Sequence, residues 1–566
     1  MRIVIVGGVS GGMSCAARAR RIDESAEIIV LERGPYVSFA NCGLPYYVSG
    51  EITDRADLLV QTPERLAASL NLDVRPHHDV TGVDPDNRTM TVATPEGTQT
   101  LSYDALVLAP GAQAFRPPID GIDESTRVRT LRTVDDAITL RDRVDAGAQK
   151  AVVLGAGFIG IEAAEALALQ GLDTTVIELA DHVLPPLDDE PAWFITNELA
   201  RLGITVRTGV SAERITPGAQ ADTVHLSDGT TAEADIIVLS VGVRPDTAVF
   251  EAAGIPTENG AITVDEHGRT GKPHIWAVGD ATASIDAVTG IRRPVALAGP
   301  ANRAGGRVAD SILRPDTARP IPRPLGTAIV RVGTLTAAMT GAGRESLRKA
   351  SIPFTTAHLH PPQHAGYFPG ASPMHITVHF APDTGQLLGA QIVGPDGVDK
   401  RIDLFATALR AQWSITELSD LDLAYSPPYG AAKDPINLAG MVGANMLDGT
   451  LATWNARELD HVRATAVILD VRTDEEIATG MITGALHIPH TELRSRLDEV
   501  RAAAHGRPVR VMCASGVRSA IAHRVLVQAG FDSASLSGGM ITLRALLGNR
   551  IDSVLTSRKE SDREPF

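Results

Sequence analysis

The chain has 566 residues, 44% apolar and 21% charged, a globular balance that excludes global disorder. At roughly 100–200 residues per domain it reads as three to five units. A formal charge of −16 argues against nucleic acid or an anionic membrane surface as the main ligand.

Two segments share one grammar: a β-branched run, a glycine-rich turn and an alanine-rich helix. They are RIVIVGGVSGGMSCAARARR from Arg2 and KAVVLGAGFIGIEAAEALALQ from Lys150. Each is followed, at the end of the next apolar strand, by an acid, Glu32 and Glu178. This is the βαβ dinucleotide pattern occurring twice. The runs Leu106–Ala112 and Ile275–Ala281 read as further buried strands, the second ending in Gly279-Asp280. From Arg319 the proline-rich RPIPRPLG suggests a linker. Strands AAMTGA and HITVHF and a helix near Ile402–Ala411 come next, and a seam falls near Leu447–Thr453. A last α/β pattern contains VILDVR, a helix around Glu492–Ala504, the strand VRVMCAS and a helix at Arg518–Gln528. The charged end SRKESDREPF is expected to fray. Three cysteines, Cys15, Cys42 and Cys513, cannot build a disulfide framework and point to a reducing compartment. No run reaches ~18 consecutive apolar residues, so the expected location is the cytoplasm, away from membranes. No metal site is expected.

In Gly155-Ala-Gly157-Phe-Ile-Gly160 the fingerprint is complete. The glycines serve the tight turn, the approach of a pyrophosphate and helix–strand packing, and the phosphates sit on the helix N-terminus. Glu178 suits the adenosine ribose, and no arginine follows to hold a 2′-phosphate, which favours NADH over NADPH. The first loop, Gly7-Gly8-Val9-Ser10-Gly11-Gly12, has Val9 in place of the second glycine. Glu32, with Arg33 beside it, and the Gly279-Asp280 turn point to FAD here, the acid on ribose and the turn on ribitol. A single nucleotide fold with a decayed duplicate is the competing reading, and it leaves the two matching acids unexplained.

The string Ser38-Phe-Ala-Asn41-Cys42-Gly-Leu-Pro-Tyr-Tyr47 follows the first acid. With the GGVSGG loop it resembles the pyridine nucleotide–disulfide oxidoreductases, specifically the coenzyme A–disulfide reductases, across residues 1–445. The resemblance implies an α/β chain with two Rossmann-like domains. FAD would take residues 1–112 and 243–320, NAD residues 113–242, and an α+β dimerisation domain residues 325–446. Relatives with a CxxxxC pair keep a second sulfur beside the flavin, whereas here position 47 is tyrosine. Cys42 is therefore expected to hold the substrate thiol itself as a mixed disulfide, with thiolate as its reactive form. Cys15, in an alanine-rich helix, reads as core.

Tyr367 in HAGYFPG and Tyr425 in AYSPPYGAAKDPIN match family tyrosines. The resemblance makes them acids that protonate the departing thiolate, reaching the flavin from the partner subunit of a homodimer. Ser14, Arg18 and Arg21 share one helix face. With Ser38, Asn41, Asn302 and Lys433 they match family contacts to coenzyme A, and Asn71 stands where relatives place a lysine or similar residue. For the two arginines a solvated helix face is the competing reading.

Cys513-Ala-Ser-Gly-Val-Arg518 follows a strand and opens a helix, a turn whose N–H groups stabilise a thiolate, a persulfide or an oxyanion. The C-x4-R spacing is one residue short of the phosphatase C-x5-R. With Asp470-Val-Arg472 and Gly484–Pro489 upstream, residues 452–556 resemble a rhodanese α/β domain, with Met481 where many members have histidine. An inactive docking module is the alternative. The fusion resembles coenzyme A–disulfide reductase/rhodanese fusions, also described as NADH-dependent persulfide reductases. That implies FAD, NADH and coenzyme A as cofactors and ligand. Coenzyme A persulfide, polysulfide or coenzyme A disulfide would be the partner, Cys42, Tyr367 and Tyr425 would be catalytic, and Cys513 with Arg518 would relay sulfane sulfur. Three rivals stand beside this reading: a thiol-balance reductase, an NADH oxidase or peroxidase cycling a Cys42 sulfenic acid, and a non-enzymatic sulfur-relay protein.

Overall fold

The computed structural model describes residues 1–556; the charged segment 557–566, expected to fray, lies outside the described residues. The chain packs as two compact units, residues 1–184 with 199–326, and residues 185–198 with 327 onward.

In the first unit, the strands Arg2–Val6, Glu27–Leu31, Asp73–Arg75, Ala105–Leu108 and Ile275–Ala277 form a parallel sheet with Arg2–Val6 at its centre. The continuous apolar runs follow from burial on both faces. Ile3 and Ile5 enter one core with Ala16, Ala19 and Cys15, and Val4 and Val6 enter another with Ile29, Leu31 and Tyr103. Val6 pairs with both Leu31 and Leu108, and Leu108 with Ala277. The residues that follow these strands, Gly7, Glu32, Ala109 and Val278, therefore emerge along one carboxyl edge, where open α/β sheets bind ligands.

A second parallel sheet repeats the plan with Lys150–Leu154 at its centre, flanked by Asp173–Ile177 with Thr205–Arg207 and by Ile236–Leu239 with Val128–Arg129. Each sheet is accompanied by a three-stranded antiparallel ribbon, Asp79–Asp84/Thr89–Thr94/Gly97–Ser102 and Ala212–Thr216/Asp222–Leu226/Thr231–Ala234. The fifth strands differ. Ile275–Ala277 returns to the first sheet after the second is complete, so one fold is inserted in the other. The connections pair with each other as Ala112–Ala114 against Val243–Pro245. The proline-rich stretch has no regular structure, but it is not a free linker: Ile321 N–H donates to Glu266 O (2.7 Å) and Ala287 N–H to Pro324 O (3.0 Å).

The second unit holds an antiparallel sheet, in spatial order Ala328–Val332, Leu335–Gly341, Leu387–Gly394, His375–Phe380 and Thr355–Leu359. The helices Val398–Arg410 and Pro435–Leu447 belong to the same unit. A parallel sheet follows, in order Thr453–Trp454, Ser533–Leu536, Val509–Met512, Val467–Asp470 and Leu486–His487. Its helices include Leu497–Ala504 and Val517–Gln528, close to the expected positions.

Arg401, 2% exposed, joins two loops of this unit. Its guanidinium donates to Asp434 Oδ2 (2.8 Å) and to Gln363 O (2.8 Å). Asp434 in turn caps Pro435–Leu447 by accepting from Ile436 N–H (3.1 Å). Replacing one member of a buried ion pair leaves the other charged and unpaired, at a cost of about 3–5 kcal/mol. In denaturant titration, Arg401→Met is expected to lower the unfolding free energy by that order, whereas Arg2→Met, at the exposed pair with Glu27, is expected to change it by about 1 kcal/mol or less.

Candidate active sites

The two glycine-rich loops are built alike, position by position. Gly7 N–H donates to Leu31 O (2.8 Å) and Gly155 N–H to Ile177 O (2.7 Å), which turns the chain at each strand end. Both first glycines have positive φ, +100° and +99°. A Cβ on Gly7 would overlap Ala109 O and one on Gly12 would overlap Gly7 O; Gly155 and Gly160 meet Ser240 O and Gly155 O in the same way. Backbone lies on backbone there, so only glycine fits. The anomaly at Val9 has a local reason. Val9 and its counterpart Gly157 are the N-caps of their helices, with φ of −110° and −71°, so neither position demands glycine's backbone freedom.

The acids lock onto these turns. Glu32 accepts from Gly8 N–H (2.8 Å) and Gly34 N–H (2.9 Å), and Glu178 from Ala156 N–H (2.6 Å) and Ala180 N–H (2.8 Å). A carboxylate accepts about four hydrogen bonds, so each retains capacity for a ribose hydroxyl. Leu179, next to Glu178, is exposed and uncharged. Gly279 turns with φ +84°, and Asp280 pairs with Arg132 (3.0 Å). Arg33 pairs with Asp246. The Gly157 side of the second loop is open, with nothing within 4 Å of its Cβ position, and Ser240 Oγ is buried without a hydrogen-bond partner. The residues present fit a dinucleotide at each loop. Gly7, Gly8, Gly11, Gly12, Glu32, Arg33, Gly279 and Asp280 can hold FAD, and Gly155, Gly157, Gly160 and Glu178 can hold NADH.

Cys42 is exposed and lies in the tight turn Asn41–Gly43, which leads into Leu44–Val48. The preceding residues are strapped to the first loop: Ser38, at φ +48°, donates its N–H to Gly8 O (2.8 Å). Although the residue is exposed, partial desolvation of its thiol pushes Cys42 up, and the carboxylates of Glu162 and Asp280 push it the same way. Glu162, on the helix Phe158–Leu169, also accepts from Tyr46 Oη (3.3 Å). It has no motif of its own, so sequence reasoning missed it; its nearness to the thiol arises only when the two βαβ folds pack. Cys15 is fully buried and pushed up to about 12 by burial, as a core residue should be.

The proposed coenzyme A contacts separate into groups. Ser14 Oγ hydrogen-bonds Asn302, which joins the first helix to Ala298–Leu313. Arg18 is ion-paired with Asp310 (2.7 Å), while Arg21, Ser38 and Asn41 remain at least partly exposed. Asn71 ends the helix Pro63–Leu70 in a left-handed conformation, φ +47°, a position that favours asparagine over lysine. Its carbonyl accepts from Arg20 (2.8 Å).

In the second unit, Tyr367 Oη and Tyr425 Oη are 3.0 Å apart, both side chains exposed. Their loops are tied by Ala365 N–H to Gly430 O (2.8 Å) and by Arg401, which donates to Gln363 O (2.8 Å). The hydrogen bond from Tyr425 raises the Tyr367 phenol, extending the pH range over which it keeps its proton. Lys433, exposed, immediately precedes the buried Asp434.

Cys513 follows the strand Val509–Met512. Its Sγ receives Gly516 N–H (3.2 Å) and lies 3.3 Å from Ser519 Oγ, itself hydrogen-bonded by Ser535 (2.8 Å). Arg518 does not stand free at the loop. It makes a two-pronged pair with Glu476 (2.6 and 2.5 Å), and its hydrogen bonds hold Glu476 down to about 2. The Glu476 partnership was another residue-level miss, because Glu476 sits in an acidic helix-start run, Asp474-Glu-Glu.

The pyridine nucleotide-disulphide oxidoreductase family matches residues 1–304, and its dimerisation domain matches residues 327–434. The chain belongs to that family. A rhodanese-like domain matches residues 451–542. Among similar proteins, a coenzyme A disulfide reductase of Staphylococcus epidermidis is 34% identical over 445 residues, 78% of this chain and 99% of that enzyme. The structure of reduced Bacillus anthracis CoADR-RHD superposes with a TM-score of 0.94 at 38% identity, covering 97% of this chain and 98% of that one. A NAD-dependent persulfide reductase from A. fulgidus gives 0.89 at 36% identity, covering 96% and 100%. The chain is thus a flavoprotein oxidoreductase that uses FAD and a pyridine nucleotide and carries a rhodanese domain. Among the described residues, no helix is long and apolar enough to cross a membrane, and no cluster of three or more His, Cys, Asp or Glu could hold a metal ion.

Removing a negative charge beside a thiol favours its thiolate. In Glu162→Gln holoenzyme, the pH profile of Cys42 alkylation is therefore expected to move to lower pH, with faster alkylation at pH 7. An unmoved profile would show that Glu162 does not tune the thiol.

Proposed function

We propose that the protein is an FAD-dependent NADH:coenzyme A-persulfide or polysulfide reductase that releases sulfide through a Cys42–coenzyme A mixed disulfide, with Cys513 relaying sulfane sulfur. The observation that carries this reading is the character of the three thiols. Cys42 alone is exposed, Cys15 is sealed in a core, and Cys513 is cradled by Gly516 N–H at the start of a helix in a rhodanese domain. Position 47 is tyrosine, so Cys42 has no resolving thiol in its own segment. The thiol of the substrate has to serve as the second sulfur.

The Cys42 thiolate attacks the carbon-bound sulfur of coenzyme A persulfide. The S–S bond of the persulfide breaks, HS⁻ leaves, and Cys42–S–S–coenzyme A forms. FAD, held at the first glycine loop, would supply the electron pair from NADH needed to reduce this disulfide. Cys42 regains its thiolate, and the Tyr425–Tyr367 pair, 3.0 Å apart, delivers a proton to the departing coenzyme A sulfur. One NADH is consumed for each coenzyme A persulfide converted to coenzyme A thiol and HS⁻, and the proton lost with the NADH electrons balances the one delivered to the coenzyme A sulfur. Coenzyme A disulfide enters the same cycle, with a coenzyme A thiolate leaving in place of sulfide. Ser14, Arg18, Arg21, Ser38, Asn41, Asn71, Asn302 and Lys433 make up the coenzyme A site in this reading. A homodimer brings the tyrosine pair to the flavin, in keeping with the dimerisation domain. Glu178, followed by the uncharged Leu179, supports NADH over NADPH.

The test is anaerobic NADH oxidation with coenzyme A persulfide or coenzyme A disulfide, with sulfide assayed. Cys42→Ser is expected to lose about a thousandfold or more with either substrate. Cys513→Ser should keep reduction of coenzyme A persulfide and lose it for bulkier sulfur donors. A preference for coenzyme A disulfide, with Cys513→Ser silent on every donor, would leave a thiol-balance reductase instead. Fast NADH oxidation in air without any sulfur substrate would mark an oxidase.

A further inference from the structure

The outer strand of the antiparallel sheet, Thr355–Leu359, runs into His360 and abuts the turn Ser537-Gly538-Gly539 of the rhodanese fold. Ser537 Oγ accepts from His358 N–H (3.1 Å) and also hydrogen-bonds His358 Nδ1 (2.9 Å). His358 Nε2, on the other side of the ring, lies 4.0 Å from Glu190. His360 Nε2 hydrogen-bonds Thr542 Oγ1 (2.9 Å), and its Nδ1 bonds His375 Nδ1 (2.9 Å). Phe194 stacks on His375 at 3.7 Å, fixing that ring in turn. Gly538 is hemmed in: a Cβ there would lie 2.8 Å from His358 Cβ and 3.0 Å from His360 Nε2.

The other side of the same turn supports the Cys513 loop. A Cβ on Gly539 would lie 2.5 Å from Cys513 O and 2.7 Å from Ala514 O. Met540 N–H donates to Cys513 O (2.8 Å) and Ile541 N–H to Ala514 O (3.0 Å). Residues 538–541 are therefore a floor one peptide thick, with the Cys513 main chain on one face and the His358 and His360 contacts on the other. Ion pairs clamp the junction, Arg344 to Glu190 (3.0 Å) and Arg457 to Asp189.

We propose that His358 and His360 are positioning residues for Cys513: through Ser537, Gly538 and Thr542, the dimerisation domain sets the loop that presents the thiol for sulfur transfer. The proposal rests on the reading of Cys513 as the sulfur-carrying nucleophile. A hydrogen-bonded neutral imidazole on a rigid sheet suits this task, because reaction rates fall steeply when a reacting atom is displaced by even ~1 Å.

The experiment is sulfur loading of Cys513 by coenzyme A persulfide in full-length Cys42→Ser holoenzyme, followed by intact mass and repeated across pH. His360→Leu is expected to slow loading roughly tenfold or more and to alter its pH profile, and His360→Gln to restore most of the rate. Thr542→Val removes the same hydrogen bond from the rhodanese side and should reproduce the His360→Leu result, which keeps the test decisive if one variant folds poorly. With Cys42 intact, reduction of coenzyme A disulfide by His360→Leu should stay within about twofold of the parent. Unchanged loading and an unchanged pH profile in His360→Leu and Thr542→Val would overturn the proposal. Equal losses of loading and of coenzyme A disulfide reduction would also overturn it, because the damage would then lie in the sheet. Absence of any sulfur on Cys513 in the Cys42→Ser parent would instead refute the sulfur-carrier reading itself.

Discussion

At the carboxyl edge of each nucleotide fold, main chain rests on main chain with no side chain between. Gly12 lies against Gly7 O, Gly7 against Ala109 O, and Gly160 against Gly155 O. This contact brings the helix N-terminus to the strand end, where its unpaired N–H groups can receive phosphate. It also places the loop N–H groups of Gly8 and Ala156 on the carboxylates of Glu32 and Glu178. The Cys42 segment depends on the same edge, since Ser38 N–H is bonded to Gly8 O only four residues before Cys42. A bulkier residue at these glycines would disturb the nucleotide loop and the cysteine segment together.

The second unit uses buried charge where the first uses bare backbone. Arg401 and Asp434 lie in the interior and share their hydrogen bonds with carbonyl and amide groups, so neither is left uncompensated. The loops carrying Tyr367 and Tyr425 are connected through this pair and through the Ala365–Gly430 bond, which aligns two exposed phenols that would otherwise sample many rotamers. At the rhodanese loop, Glu476 plays the matching part for Arg518. The two-pronged pair fixes the orientation of the Arg518 guanidinium, which also interacts with Cys513.

Much of the site was legible because its chemistry is local. A glycine loop, the acid after the next strand, the CGLPY string and the Cys513 loop each occupy a few consecutive residues whose backbone geometry dictates their composition. Val9 departs from the pattern at a position with negative φ, where glycine's backbone freedom is not required. Asn71 was legible only in part: its left-handed cap explains the residue type without reference to a ligand. Glu162, Arg401, Glu476 and His358 were not legible at all. None belongs to a local binding or catalytic motif, and the importance of each comes from a partner between 33 and 179 positions away or from a thiol on another βαβ fold.

By itself, the sequence determined the family, the duplicated nucleotide folds, the lone cysteine and the rhodanese loop, since short-range spacing and backbone strain leave their mark on neighbouring residues. Tertiary structure alone decided that Arg518 is paired with Glu476, that the proline-rich stretch is pinned rather than free, and that the Cys513 floor is backed by the histidines of another domain. These depend on packing between distant segments, where many residue types satisfy the local pattern and only the assembled neighbours select one of them.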